Sequence, residues 1–201
     1  MLTYLIIGIN VIVSLVAFSR MSTAKGASMF LFSPHDVASG RNYAGMVLSH
    51  FSHADAGHLL FNMFTLYIFG PEVEYGLSVS EMLAIYVLSG VASTVFVYSR
   101  HHSDPSYRSL GASDSVTGII FAAIVLRPDM YVFFVLLPVP IPAPLFAVGY
   151  ILLSTYLMRR EGGRISHEAH LAGAFSGLLL AGLLSPLGFG PLLRRLGNLI
   201  G

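Results

Sequence analysis

An all-α membrane protein, a bundle of six transmembrane helices whose fourth helix is short and starts inside the bilayer, is the fold class this sequence predicts. Three observations predict it. The 201 residues are 55% hydrophobic and 10% charged, with a mean hydropathy of +0.74, which is more apolar surface than one soluble core can bury. Apolar stretches recur at lengths near the roughly 20 residues that a hydrocarbon core of about 30 Å requires. One of them is cut off by Arg127-Pro128 before it is long enough to cross. The chain is read as one domain over 1–201, with lipid bilayer as its solvent and no separate soluble unit.

The first span is Thr3 to Ser19, uncharged and without a basic segment before it, and is therefore read as an anchor and not a cleaved signal. Arg20 to about His53 is a long mixed loop whose Met29-Phe30-Leu31-Phe32 run is expected at the membrane interface. The second span runs from about Gly57 to Phe69 and ends in an acidic turn, Pro71-Glu72-Val73-Glu74. The third covers about Glu81 to Tyr98, antiparallel to the second because their connection is very short. After the polar loop Arg100 to Leu110, a helix begins at about Ser113 and stops before Arg127-Pro128. Its roughly 14 residues cover only about 21 Å, so its first turn should lie below one membrane surface, where the backbone must line protein or water. Met130 to Pro144, with four prolines in seven residues, suits a re-entrant or extended connection. The fifth span then runs to about Met158, Arg159 to Arg164 is a solvated loop, and the sixth span is Glu168 to about Leu184, ended by Pro186 and Gly188.

Composition also excludes. A net charge of +1, with the basic residues scattered, offers no tract for nucleic acid. Zero cysteines remove disulfides, thiolate metal sites and a sulfur nucleophile together. Polar groups inside spans are costly, so His58, Asn62, Ser113, Asp114, Glu168 and His170 are where function is to be sought. His58 and Asn62, four apart, share one helix face and can both donate to a common point, or they can simply bridge helices. Ser113 opens the short fourth helix, where unpartnered N–H groups and the helix dipole favour an oxyanion. It is either a nucleophile or an ordinary N-cap. His170 lies on a stripe with Ala174, Gly177 and Ala181, and Gly118 with Ala122 form a matching small face. If those faces meet, His170 comes within reach of the Ser113 proton. His167 lies closer to the loop and is expected in water.

The ordered set His53-Ala-Asp-Ala-Gly-His58-Leu-Leu-Phe-Asn62-Met63, Gly-Pro-Glu-Val-Glu74, Leu110-Gly-Ala-Ser113 and Ala169-His170-Leu-Ala-Gly173 resembles the rhomboid intramembrane serine proteases. The resemblance covers a core of about 50–184. It implies a rhomboid-like bundle with a Ser113 and His170 catalytic dyad and an oxyanion held by His58, Asn62 and the Ser113 N–H. It also implies a structural Glu74, no metal or cofactor, and substrates that are transmembrane segments of other proteins. The location expected is the cell membrane, with the chain crossing it several times. Two features depart from the family. Asp114 stands where the pattern Gly-x-Ser-Gly has glycine, and no tryptophan is present for the first loop. Asp114 either obstructs the site and opposes the oxyanion, or points harmlessly into water. The first case gives the alternative function, a catalytically impaired pseudoprotease that binds transmembrane helices. A histidine-rich metal-binding protein is a remoter alternative, drawn from His50, His53, His58, His167 and His170, whose spacing does not match a zinc-binding helix. Loops one, three and five hold Arg20, Lys25, Arg41, Arg100, Arg108, Arg159, Arg160 and Arg164, against Arg127, Arg194 and Arg195 on the other face. The positive-inside rule therefore expects the Ser113 side in the cytoplasm, the reverse of many rhomboids.

Overall fold

Backbone in lipid must satisfy its own hydrogen bonds, and the uncharged run before Arg20 does so as a helix, α1 (Leu2–Arg20). The computed structural model describes residues 1–134, 137–158 and 166–200. On α1 the buried residues are Thr3, Ile6, Asn10, Ser14 and Ala17, a largely polar stripe at helical spacing, while Leu5, Ile9, Ile12 and Leu15 face outward. That is the reverse of a water-soluble helix and matches a protein whose surroundings are apolar. Asn10 spends its amide on Ile6 O (2.9 Å) and Tyr86 Oη (3.1 Å) inside the bundle.

The first loop is more ordered than its mixed composition suggests. It folds into three short helices, α2 (Ala24–Ser28), α3 (Pro34–Ala38) and α4 (Tyr43–Leu48), capped by Thr23, Ser33 and Asn42, and then a 3-10 turn at Ser49–Phe51. The expected interfacial run is corrected here: Phe30 and Phe32 are buried in protein, and only Met29 is exposed. The Phe32 backbone pairs with Ser109 in both directions (2.9 and 3.1 Å), which holds the segment inside.

Helix α5 (Ala56–Gly76) is capped by Asp55, whose carboxylate accepts from His58 N–H at 2.8 Å. The acidic turn expected at Pro71 to Glu74 is instead its last helical turn. Proline costs that helix a backbone bond, but the Glu74 carboxylate takes the Leu2 N–H and the Thr3 hydroxyl (2.9 Å) and fixes the turn against α1. Gly70 permits the approach, since a Cβ there would stand 2.6 Å from Thr3. Leu77 and Ser78 then lead into α6 (Val79–His101), opened by a capping box of Ser78 and Glu81.

At the centre lies α7 (Ser113–Leu126), ended by Pro128 and buried along most of its length. It packs on α5, α6 and above all α9 (His167–Leu184), while α1 packs on α5. Between α7 and α9 come an antiparallel hairpin, β1 (Tyr131–Phe134) and β2 (Leu137–Pro142), and α8 (Ala143–Met158). The proline-rich connection is thus extended, with Tyr131 opposite Pro142 and Val132 opposite Ile141. Among the described residues the fold is otherwise all-α. Beyond Gly188, in the left-handed region at φ +55, an unanticipated helix α10 (Gly190–Ile200) packs under α7 and α8. The expected arginine loop, Arg159 to Arg164, lies outside the described residues.

Among the described residues six helices have 14 residues or more: α1, α5, α6, α7, α8 and α9. Two of them, α1 and α6, are long and apolar enough to cross a membrane by length and composition. Helices α7 and α8 are apolar but shorter.

Candidate active site

A strained glycine and two loop contacts set the position of Ser113. Gly111 adopts φ +129, which an L side chain rarely tolerates. A Cβ on it would also stand 2.7 Å from His58 Cε1, so the His58 ring lies directly on this backbone. The Gly111 N–H donates to Ser49 O (2.9 Å), and Ser109 is tied to Phe32, so the first loop holds the turn that delivers Ser113. The cap of α7 is Ala112, which has no side-chain acceptor to offer, and Ser113 is the first residue inside the helix. Its hydroxyl therefore does not serve as the N-cap, and of the first N–H groups of α7 that of Ser115 is taken by the Asp114 carboxylate (2.7 Å).

His170 comes from the first turn of α9. The α7 and α9 backbones approach closely because their facing residues are small: a Cβ on Gly177 would stand 2.0 Å from Gly118 O, and one on Gly173 2.2 Å from Asp114 O. This brings His170 Nε2 to 2.7 Å from Ser113 Oγ. The geometry suits proton transfer from a serine hydroxyl to an imidazole. His167 is half-buried, its ring edge-on to that of His170 at 6.5 Å.

His58 and Asn62 lie one turn apart on α5, and the Asn62 amide donates to His58 O at 3.2 Å. One amide hydrogen of the buried Asn62 remains for another acceptor. Ser113, His170, His58 and Asn62 all line a single cavity of about 1990 Å³. Its apolar lining includes Phe64 and Ile68 of α5 and Phe146 and Leu153 of α8. Among the described residues, α5 and α8 do not form a packed pair.

Asp114 fits neither expectation drawn from the sequence. It does not point into water, being 5% exposed, and its carboxylate is turned toward the 3-10 turn of the first loop, where it meets His50 Nδ1 at 3.2 Å. Glu168 is likewise engaged in structure, accepting from Arg100 Nε (3.0 Å) and His101 and joining α6 to α9. Sequence reasoning placed His50 only among candidate metal ligands, and His53 there and at the head of the first rhomboid-like motif. Here His53 is fully buried against Ser14 of α1 (2.9 Å), with its ring edge-on to His58 at 5.0 Å. The signal available in the sequence was the position of His50 and His53, eight and five residues before His58. Among the described residues no three His, Asp or Glu side chains gather as a metal site would need.

Comparison with known proteins adds the family. The model of the rhomboid domain matches residues 40–187, which is most of the chain. The chain belongs to the rhomboid family. Rhomboids are membrane proteins, and the apolar α1 and α6 accord with insertion. The RHOMBOID-like protein 12, mitochondrial, of Arabidopsis thaliana is 32% identical over 163 residues, covering 72% of this chain and 47% of that protein. The Presenilin-associated rhomboid-like protein A, mitochondrial, of Danio rerio is 33% identical over 146 residues, covering 68% and 36%. The human Presenilin-associated rhomboid-like protein, mitochondrial, is 28% identical over 165 residues, covering 79% and 40%. This rhomboid chain therefore spans less than half the length of these relatives. All three carry mitochondrial names, and the expected cell-membrane location finds no support among them.

Proposed function

We propose that this rhomboid is an intramembrane serine protease that hydrolyses transmembrane segments of other proteins, with six spans formed by α1, α5, α6, α7, α8 and α9. The observation that carries the reading is the 2.7 Å contact between Ser113 Oγ and His170 Nε2 at the uncapped start of a helix that begins inside the bundle. In the reaction Ser113 Oγ bonds to the carbonyl carbon of the scissile peptide while its proton passes to His170 Nε2. The carbonyl oxygen becomes an oxyanion, and the Ser113 N–H, His58 and the remaining Asn62 amide hydrogen are the donors at hand. His170 returns the proton to the departing amine, and water repeats the sequence on the acyl-enzyme. No metal or cofactor enters these steps. The opening between α5 and α8 is the route for a substrate helix, whose local unwinding exposes the bond.

The pseudoprotease alternative rested on Asp114 obstructing or opposing the nucleophile. The turn of Asp114 toward His50 removes that ground and favours the active reading. The test is incubation of the detergent-purified protein with a panel of single-span substrates. Cleavage by the intact chain that disappears in both Ser113→Ala and His170→Ala supports the dyad. Cleavage that survives either substitution refutes it, and binding without cleavage would turn the function toward the alternative.

A further inference from the structure

The buried Asp114 and its neighbours require a donor account. The Thr94 hydroxyl has one hydrogen, and it donates this to Gly90 O (3.0 Å), one turn back on α6. Thr94 Oγ1 can therefore only accept from His50 Nε2, 2.7 Å away, so Nε2 carries a hydrogen. Nδ1 of the same ring faces the Asp114 carboxylate at 3.2 Å. Asp114 Oδ1 also accepts from the Ser115 N–H (2.7 Å), and the Ser93 hydroxyl stands on the carboxylate as well. Three donors converging on one carboxylate suit its ionised form, which leaves the Nδ1 hydrogen on His50.

We propose that His50 and Asp114 form a buried imidazolium–carboxylate pair of no net charge that positions the first turn of α7, and with it Ser113, on the first loop. The inference rests on the protease reading for its kinetic consequence. The pair ties three elements together: His50 lies in the 3-10 turn that also receives the Gly111 N–H, Thr94 on α6, and Asp114 immediately after the nucleophile. The fit is close, since a Cβ on Gly90 would stand 2.8 Å from Ser115 Oγ and 3.3 Å from His50 Nδ1. The pair also reconciles an aspartate with an oxyanion site. A lone carboxylate beside Ser113 would repel the developing negative charge, whereas one matched by an adjacent cation adds no net charge. His50 and Asp114 are thus positioning residues and do not touch the reacting atoms.

Removing one member of a buried pair leaves an uncompensated charge, while replacing both by neutral partners need not. His50→Gln, Asp114→Asn and the double variant are therefore compared for kcat and KM on a single-span substrate and for melting temperature in detergent. We expect His50→Gln to lower kcat about tenfold to a hundredfold with KM within about twofold, and to lower the melting temperature. Adding Asp114→Asn should recover most of both losses. If the double variant is no better than His50→Gln by either measure, the proposal is overturned. If the intact chain cuts no substrate, the protease reading fails instead, and recovery of the melting temperature in the double variant still decides for or against the pair.

Discussion

Ser113 illustrates how neighbours narrow what one residue can do. Serine most often caps a helix, and from the sequence the cap and the nucleophile were both open. The structure gives the cap position to Ala112 and leaves the hydroxyl 2.7 Å from His170. On the oxyanion side, Asn62→Ala is expected to lower kcat roughly tenfold to a hundredfold with little change in KM, because that donor acts where charge develops. Steady-state kinetics on a single-span substrate measure this, and a change confined to KM would count against the assignment. Among exposed groups, Asp36 in the first loop is held below its ordinary pKa of 3.8, chiefly by the Arg41 guanidinium at 2.9 Å. Its folded value being depressed, the stability it contributes is complete above the ordinary value and is lost as pH falls through the folded one. Asp36→Asn should therefore lower the melting temperature slightly at neutral pH and flatten its fall below about pH 4, where variant and intact chain converge.

Among the helices, α7 and α9 carry the strictest demands. Gly177→Val places a side chain against the Gly118 carbonyl, where even a Cβ would stand 2.0 Å away. Backbone cannot yield as a flexible side chain can, so a loss of at least about 3 kcal/mol is expected, together with loss of activity as His170 moves from Ser113. Gly8→Ala on α1, with nothing within 4 Å, is the control and should be nearly silent. Thermal unfolding in detergent separates the two, and equal shifts would show that the close approach is not what the helix pair requires. The small-residue stripes were legible because spacing alone puts Gly118 and Ala122 on one face and Ala174, Gly177 and Ala181 on another. The end of α7 was legible too, because Pro128 allows no continuation. The end of α5 was not: Pro71 reads as a stop, and the contacts that carry the helix past it come from Leu2 and Thr3, some seventy residues away. Phe30 and Phe32 misled for the same reason, as the segment is held by contacts with Ser52 and Ser109 and not by local composition.

For the molecule as a whole, the family and the apolar helices were readable from ordered motifs and hydropathy, while the partner of Asp114 was not. Nothing local links a histidine at 50 to an aspartate at 114, and it is the docking of the first loop's 3-10 turn on the start of α7 that brings them together. Several of the charges counted for orientation turn out to have structural partners, among them Arg41 and Arg108 with Asp36, Arg100 with Glu168 and Arg127 with Glu72. Six spans predict that the loops containing Lys25 and Ser106 share a side and that Asp129 lies on the other. Because the chain has no cysteine, single substitutions at these positions can be labelled with an impermeant maleimide in sealed vesicles. Positions 25 and 106 reacting together, and 129 only after the opposite face is opened, is the expected pattern. Labelling of 129 together with 25 would remove a span from the count. The central claim, that Ser113 is a nucleophile activated by His170, is tested most directly by a fluorophosphonate probe followed by mass spectrometry of the labelled peptide. The account predicts one adduct, on Ser113, absent in His170→Ala and retained in Gly8→Ala. An unlabelled protein, or an adduct that persists without His170, would contradict it.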